Sequence, residues 1–148
     1  MRKRYSLFLI ALVLIISCTQ NPEPIAYGRD ACDHCKMTIM DQKYGAEIVT
    51  KKGKIIKFDA AECMVDFIKS PDSKVDIASD KFMTTDFAHP GTLIDADKSF
   101  FLIDRAYQSP MGGNLASFTS MQLAENNLQS ADGKVLSWNE LLQQTSKN

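Results

Sequence analysis

The stretch Ala31-Cys32-Asp33-His34-Cys35-Lys36-Met37-Thr38-Ile39-Met40 constrains this chain more than any other. It holds two thiols, one imidazole and two thioethers, and such soft sulfur donors together favour Cu(I) over hard cations. A Cys-x-x-Cys can clamp one metal ion or close a disulfide, and either use demands a tightly folded backbone. Residues 27–41 read as a loop entering a strand, with Met37-Thr38-Ile39 extended. On an extended backbone residues i and i+2 share a face, so Cys35 and Met37 would aim at one ion. Met37 as a gap-filling core residue is the other use of that position. His34 is a possible third ligand or a plain surface residue. Cys63, on the shoulder of a helix, reads as a small core residue or a further ligand. Convergence of Cys32, His34, Cys35 and Cys63 would suit structural zinc, so a zinc module stays open beside a copper site. A thiol oxidoreductase is the third reading, but its first Cys needs a helix N-terminus and a βαβ setting, neither of which the pattern offers.

The chain starts with a short basic segment, Arg2-Lys3-Arg4, followed by an apolar run from Leu7 to Ile16. That run has the length of a signal-peptide core and is too short to span a bilayer as a helix. It ends in Ile15-Ile16-Ser17-Cys18, which is similar to a bacterial lipobox. Residues 1–17 are then a lipoprotein signal peptide, Cys18 is the lipidated residue, and 18–27 are a polar, Pro-punctuated membrane tether. The expected location is the cell envelope, on the outer membrane where the cell has one, as Thr19 after the cysteine suggests. Cleavage leaves 131 residues, enough for one core, with 14 Lys and Arg against 18 Asp and Glu, a net charge of −4. No basic cluster appears, which argues against nucleic-acid binding. Three cysteines remain, an odd number for an exported disulfide protein, and this favours a metal role.

Residues 28–148 read as one α+β domain of two small strand-strand-helix-strand halves with mixed sheets, about 28–88 and 91–148, divided at His89-Pro90-Gly91. In the first half, 45–58 reads as a hairpin, Asp59 as the cap of a helix over 60–69, and 75–78 and 81–87 as strands. In the second, strands are expected at 92–94, 100–103 and 114–118, with a turn and strand over 132–136. A helix follows Thr119 or Ser120 with Met121, Ala124 and Leu128 on one side, and a capping box at Ser137–Glu140 opens the last helix. Between two of these strands, Ser109-Pro110-Met111-Gly112-Gly113 forms a bend with a thioether at its tip. Met111 there is either a soft-metal ligand or a packing contact. No catalytic constellation stands out, and Met111-Gly112-Gly113 lacks the lysine of a phosphate loop; the chain reads as a non-enzyme.

With these segments together, the chain resembles the NosL family of lipoproteins that assist nitrous oxide reductase assembly. The resemblance rests on Cys35-Lys36-Met37-Thr38-Ile39, Ala46-Glu47-Ile48, Gly53-Lys54, Phe58-Asp59, Glu62-Cys63-Met64, and Ser109-Pro110-Met111-Gly112 with Ala116 and Phe118, over about residues 28–125. It implies a Cu(I)-binding metallochaperone that passes copper to a cuproprotein or to its membrane transporter assembly complex. It also implies a fold similar to part of the organomercurial lyase. By position the family's Cys and Met fall on Cys35 and Met37, with Met111 a further thioether. Cys32 departs from the family pattern by adding a second thiol, giving an expected metal set of Cys32, Cys35, Met37 and Met111.

Overall fold

The computed structural model describes residues 20–144, so the leader and Cys18 lie outside the described residues. The first half comprises β1 (Ala46–Val49), β2 (Ile55–Phe58), α1 (Ala61–Lys69) and β3 (Lys81–Thr85). The second comprises β5 (Phe100–Ile103), β6 (Leu115–Phe118), α2 (Met121–Asn126) and β7 (Lys134–Ser137), closed by α3 (Trp138–Gln143). A short β4 (Leu93–Asp95) joins them. Strand order is β2-β1-β3-β4 in one sheet and β6-β5-β7 in the other, so each half places its first strand between its second and third. Every strand pairing is antiparallel, where mixed sheets were expected.

The two halves match in register as well as in order. Ala46 pairs with Phe58 and Phe100 with Phe118, and in each half the helix begins three residues after that phenylalanine. Sequence identity is not needed for this likeness. Alternating side chains and a helix returning over the sheet are enough to specify it.

One core joins the sheets. Ile48, Ile56, Phe58 and Phe82 from the first meet Phe101, Leu115 and Trp138 from the second, with Cys32, Ile39, Cys63 and Met64 in the same cluster. The Trp138 ring lies 5.4 Å from Phe82 and 5.8 Å from Phe101, bridging the halves. Leu102, on the opposite face from Phe101, packs with Tyr44, Tyr107, Ala116 and Phe118 in a second cluster. A hydroxyl pair, Thr84 Oγ1 and Ser117 Oγ at 2.8 Å, ties β3 to β6 where both side chains are buried.

Several local expectations fail for identifiable reasons. Asp59 does not cap α1: the cap position is Ala60, without a side-chain bond, and Asp59 is itself buried. Residues 75–78 form no strand. The Asp76 carboxylate accepts from Ala78 N at 3.1 Å, while Asp76 N donates to Asp80 at 2.9 Å, and these local bonds replace a ladder. Of the α2 face only Ala124 is buried; Met121 and Leu128 are exposed, because six residues give too little helix to cover a sheet. β4 follows His89-Pro90-Gly91 yet joins the first sheet, so the second sheet starts only at Phe100. The Ser137–Glu140 capping box is present, with Glu140 Oε2 accepting from Ser137 N at 2.7 Å. Gln20 donates to the Val49 and Ser79 carbonyls and Ile25 enters the core, so much of the expected tether lies against the domain. Among the described residues no helix is long and apolar enough to cross a membrane.

Phe101→Ala should remove about 3–5 kcal/mol of stability, because the ring is wholly buried between the halves. Met121→Ala, on an exposed face, should stay within about 0.5 kcal/mol. Urea denaturation of the two variants beside the unmodified protein checks both values.

Candidate metal centre

The Cys-x-x-Cys segment folds as a tight knuckle. Ala31 and Thr38 form an isolated antiparallel bridge, Cys32 N donates to Met37 O at 2.8 Å, and Lys36 N donates to Cys32 O at 3.0 Å. Lys36 has φ of 66°, the left-handed conformation that closes the turn. The turn covers residues 33–35, and after Lys36 only Thr38 makes a bridge pair, so the strand expected at Met37-Thr38-Ile39 does not form. The alternation argument that paired Cys35 with Met37 consequently does not apply, since the backbone between them is not extended.

The knuckle is fixed to the edge of the first sheet. Asp33 N donates to Lys57 O at 2.8 Å, and Lys57 N donates to Asp33 Oδ2 at 3.1 Å, so Asp33 occupies the free side of β2. Lys57 Nζ reaches back to Asp30 Oδ2 at 2.7 Å, which holds the start of the loop. β2 then runs directly into α1, whose third residue is Cys63. This connection carries Cys63 to the knuckle.

Three sulfurs meet as a result. The thiol sulfurs of Cys32, Cys35 and Cys63 all lie within 4.8 Å of one another, and no histidine or carboxylate shares their group among the described residues. All three are free thiols; Cys32 and Cys63 are fully buried and Cys35 is partly exposed. Metal–thiolate bonds of about 2.3 Å place sulfurs about 4 Å apart around one ion, which this spacing can supply with small rotamer changes.

The nest is electrostatically uneven. The Cys63 S–H donates to Cys32, and this outweighs burial and draws the Cys32 thiol down from 9.0 to about 4; backbone N–H groups of Asp59, Cys35 and His34 add to the effect. The Cys35 N–H contact to Cys32 Sγ is 3.5 Å. Cys63, as donor in a buried site, is pushed far up by the same bond and by desolvation. Burial also raises Cys35, partly offset by the Met37 N–H. The three thiols thus sit in unequal surroundings, which favour the thiolate at Cys32 and disfavour it at Cys35 and Cys63.

The thioethers stand outside this buried core. Met37 is 47% exposed and Met111 39%. The bend bearing Met111 is rigid: Gly112 N donates to Ser109 O at 2.9 Å, Asn114 N to Ser109 Oγ at 2.9 Å, and Gly112 has φ of 70°. It seats on the first turn of α1, where Ser109 Oγ donates to Glu62. A Cβ on Gly113 would come within 2.7 Å of the Glu62 side chain, so the close approach requires glycine there. The bend therefore lies against the residue that precedes Cys63. His34 is exposed and outside the sulfur group, while His89 bonds Asp86 at 2.7 Å in a separate loop. Cys63 is the ligand candidate that the expected set omitted. Its signal was the odd thiol left once Cys18 and the Cys-x-x-Cys were assigned.

Fold and site together define a class: two-sheet α+β proteins that present a thiol knuckle against a helix-borne cysteine, an arrangement suited to holding a soft metal ion. The family-wide profile of NosL matches residues 25–146, and the chain belongs to the NosL family. The crystal structure of the copper chaperone NosL from Shewanella denitrificans aligns with a TM-score of 0.69 over 84% of this chain and 98% of that one, at 20% identity, which establishes the shared fold. No curated protein sequence matches the chain.

Lys36→Gly should leave the knuckle intact and gain roughly 1 kcal/mol, because glycine adopts positive φ without the penalty of a Cβ; Lys36→Val should lose at least as much. Chemical denaturation under reducing conditions reads both. The depressed Cys32 value contributes stability that is complete above its ordinary 9.0 and lost as pH falls through about 4. The raised Cys63 acts oppositely, costing stability once pH exceeds its ordinary 9.0. The stability difference between the reduced protein and Cys32→Ser should accordingly grow with pH between these limits.

Proposed function

We propose that this chain is a lipid-anchored envelope metallochaperone that carries Cu(I) in the Cys32–Cys35–Cys63 nest, with Met37 and Met111 as outlying thioether contacts. The observation that supports this most is the grouping of three thiols, joined by no histidine or carboxylate among the described residues. A structural zinc site takes four ligands in a closed tetrahedron, whereas soft sulfur alone suits Cu(I). Family membership points the same way. The role is that of a carrier and not an enzyme: the two buried thiols and one accessible thiol offer a place to hold an ion and a point from which to pass it on.

In this reading copper enters and leaves at Cys35, the exposed member of the nest. Loading exchanges the protons of the nest's thiols for the ion. A recipient's sulfur displaces Cys35 first, and the two buried thiolates follow. The recipient is a cuproprotein such as nitrous oxide reductase, or the membrane transporter complex that assembles it. Lipidation of Cys18 would keep the carrier at the membrane beside such a complex.

Anaerobic competition against a chromophoric Cu(I) chelator tests the site. Cys63→Ser should weaken Cu(I) binding by at least about tenfold, in the range seen when a metal's surroundings are altered. Met37→Ala and Met111→Ala should weaken it less. Zn(II) outcompeting Cu(I) would replace the copper reading with the zinc one. Cys18→Ala should move the protein from the membrane to the soluble fraction, and unchanged membrane association would remove the anchor.

A further inference from the structure

The chain enters the described domain at a fixed place. Gln20 Nε2 donates to the Ser79 carbonyl at 2.8 Å and to the Val49 carbonyl at 3.4 Å. Cys18 is two residues away, a reach of at most about 7 Å. An anchor on Cys18 therefore leaves the protein beside the β1–β2 turn and the loop that precedes β3.

The side chains around that exit suit a charged lipid surface. Lys51, Lys52 and Lys54 are exposed on the turn, and Lys74, exposed on the segment after α1, joins them around one cavity. None of the four makes a salt bridge among the described residues. Asp72, Asp76 and Asp80 share the cavity, but Asp76 and Asp80 are turned onto backbone N–H groups, of Ala78 for the first and of Lys51 and Asp76 for the second. Four lysines against three aspartates leave the patch positive on a mature chain whose net charge is −4. Ile77 belongs to the loop that receives Gln20, is 49% exposed, and lines a second cavity together with Gln20. A single exposed aliphatic residue is ordinary on a protein surface, but one beside a lipid anchor and a lysine group has the composition of an interfacial contact.

We propose that this end of the domain docks on anionic phospholipid headgroups, with the four lysines over the phosphates and Ile77 at the acyl boundary, so that the chain stands on the bilayer in one orientation. The proposal rests on the lipid anchor at Cys18 proposed above. The acyl chains supply attachment, so the lysines need only orient a domain already held at the surface.

That orientation decides where an ion can be handed over. β2 starts beside the patch at Ile55 and ends at Phe58, next to the knuckle held by Lys57. α1 then returns toward the patch over nine residues, a length of about 13 Å. The sulfur nest and the Met111 bend, which seats on the first turn of α1, thus occupy the opposite end of this strand–helix unit. With the lysines on the lipid, Cys35 lies at the end away from it. A recipient has to present its accepting sulfur at that height above the bilayer, and not at the headgroups.

The test adds the full lipidated chain to the outside of preformed vesicles, made of phosphatidylcholine with phosphatidylglycerol or of phosphatidylcholine alone. Flotation reads the anchor. A brief pulse of a water-soluble acylating reagent, mapped by peptide mass spectrometry, reads the orientation. On the anionic vesicles Lys51, Lys52, Lys54 and Lys74 should react at least about fivefold more slowly than on phosphatidylcholine alone, the weight of one lysine's attraction to a charged surface. Lys36 on the knuckle and Lys134 beside the Met111 bend, both exposed, should keep their rates. High salt should abolish the difference without releasing the chain. The triple variant K51E/K52E/K54E should float as before and lose the protection of Lys74, and Ile77→Asp should raise the rates of all four lysines. Equal rates on the two kinds of vesicle, or slowing of Lys36 and Lys134 instead, overturn the orientation while leaving the anchor intact. A chain that does not float overturns the anchor, and the orientation with it.

Discussion

The paired bonds between Asp33 and Lys57 are the contact on which the rest of the site depends. They fasten a ten-residue loop to the outer edge of β2, an edge that would otherwise present unpaired backbone groups. The same two bonds set the distance from the knuckle to Phe58, and so to the start of α1 and to Cys63. Buried sulfurs from segments about thirty residues apart can meet only if both segments share one rigid reference. β2 provides it: the knuckle lies along its side and the helix grows from its end. Asp30 and Lys57 add an ion pair at 2.7 Å that fixes the orientation of the loop's start.

The site also shows what the duplicated architecture makes possible. Both halves run strand, strand, helix, strand with the same internal order, yet their functional segments differ. In the first half the β1–β2 turn is short, and chemistry is carried by the loop that precedes β1 and by the first turn of α1. In the second half the β5–β6 connection is long and supplies the Met111 bend. Each half thus contributes a different segment, and these meet because Trp138, Phe82 and Phe101 clamp the sheets together. Glu62 is the hinge of that meeting. Its carboxyl is pushed up by burial under the bend, and it accepts from Ser109 while its neighbour Cys63 turns inward.

Legibility in the sequence followed the range of the forces involved. The hairpin at 45–58, the helix after Phe58 and the Ser137–Glu140 box were readable because turn chemistry and periodicity are local. The residues at 75–78 were misread because an Asp side chain can satisfy the backbone as well as a neighbouring strand does, and hydrophobicity does not distinguish the two. Cys32 and Cys35 were readable as a pair. Their third partner was readable only as an alternative, because Cys63 occupies a position where a buried alanine or valine would fit the helix equally well, and only the tertiary path of β2 brings it to the knuckle. The left-handed Lys36 carried no signal either, since lysine rarely adopts that conformation.

The distribution of charge in the nest bears on how an ion could be both held and surrendered. Three neighbouring thiolates without a metal would repel one another, and the nest opposes that state: the bond from Cys63 draws the Cys32 thiol down, that same bond pushes Cys63 up, and burial raises Cys35. The Cys32 sulfur faces an N–H donor of its own knuckle, at 3.5 Å from Cys35 N, which in the carrier reading makes it the sulfur best prepared for an arriving cation. In that reading the next sulfur to engage would be Cys35, which is accessible, and the last Cys63, which is buried and pushed furthest up. Release follows the opposite requirement. A competing sulfur has to displace Cys35 at the surface, and each proton regained by the nest then lowers its hold on the ion. In the carrier reading proposed above, holding and releasing an ion would both arise from one feature, the unequal environments of three chemically identical side chains, and not from any difference in their intrinsic affinity for metal.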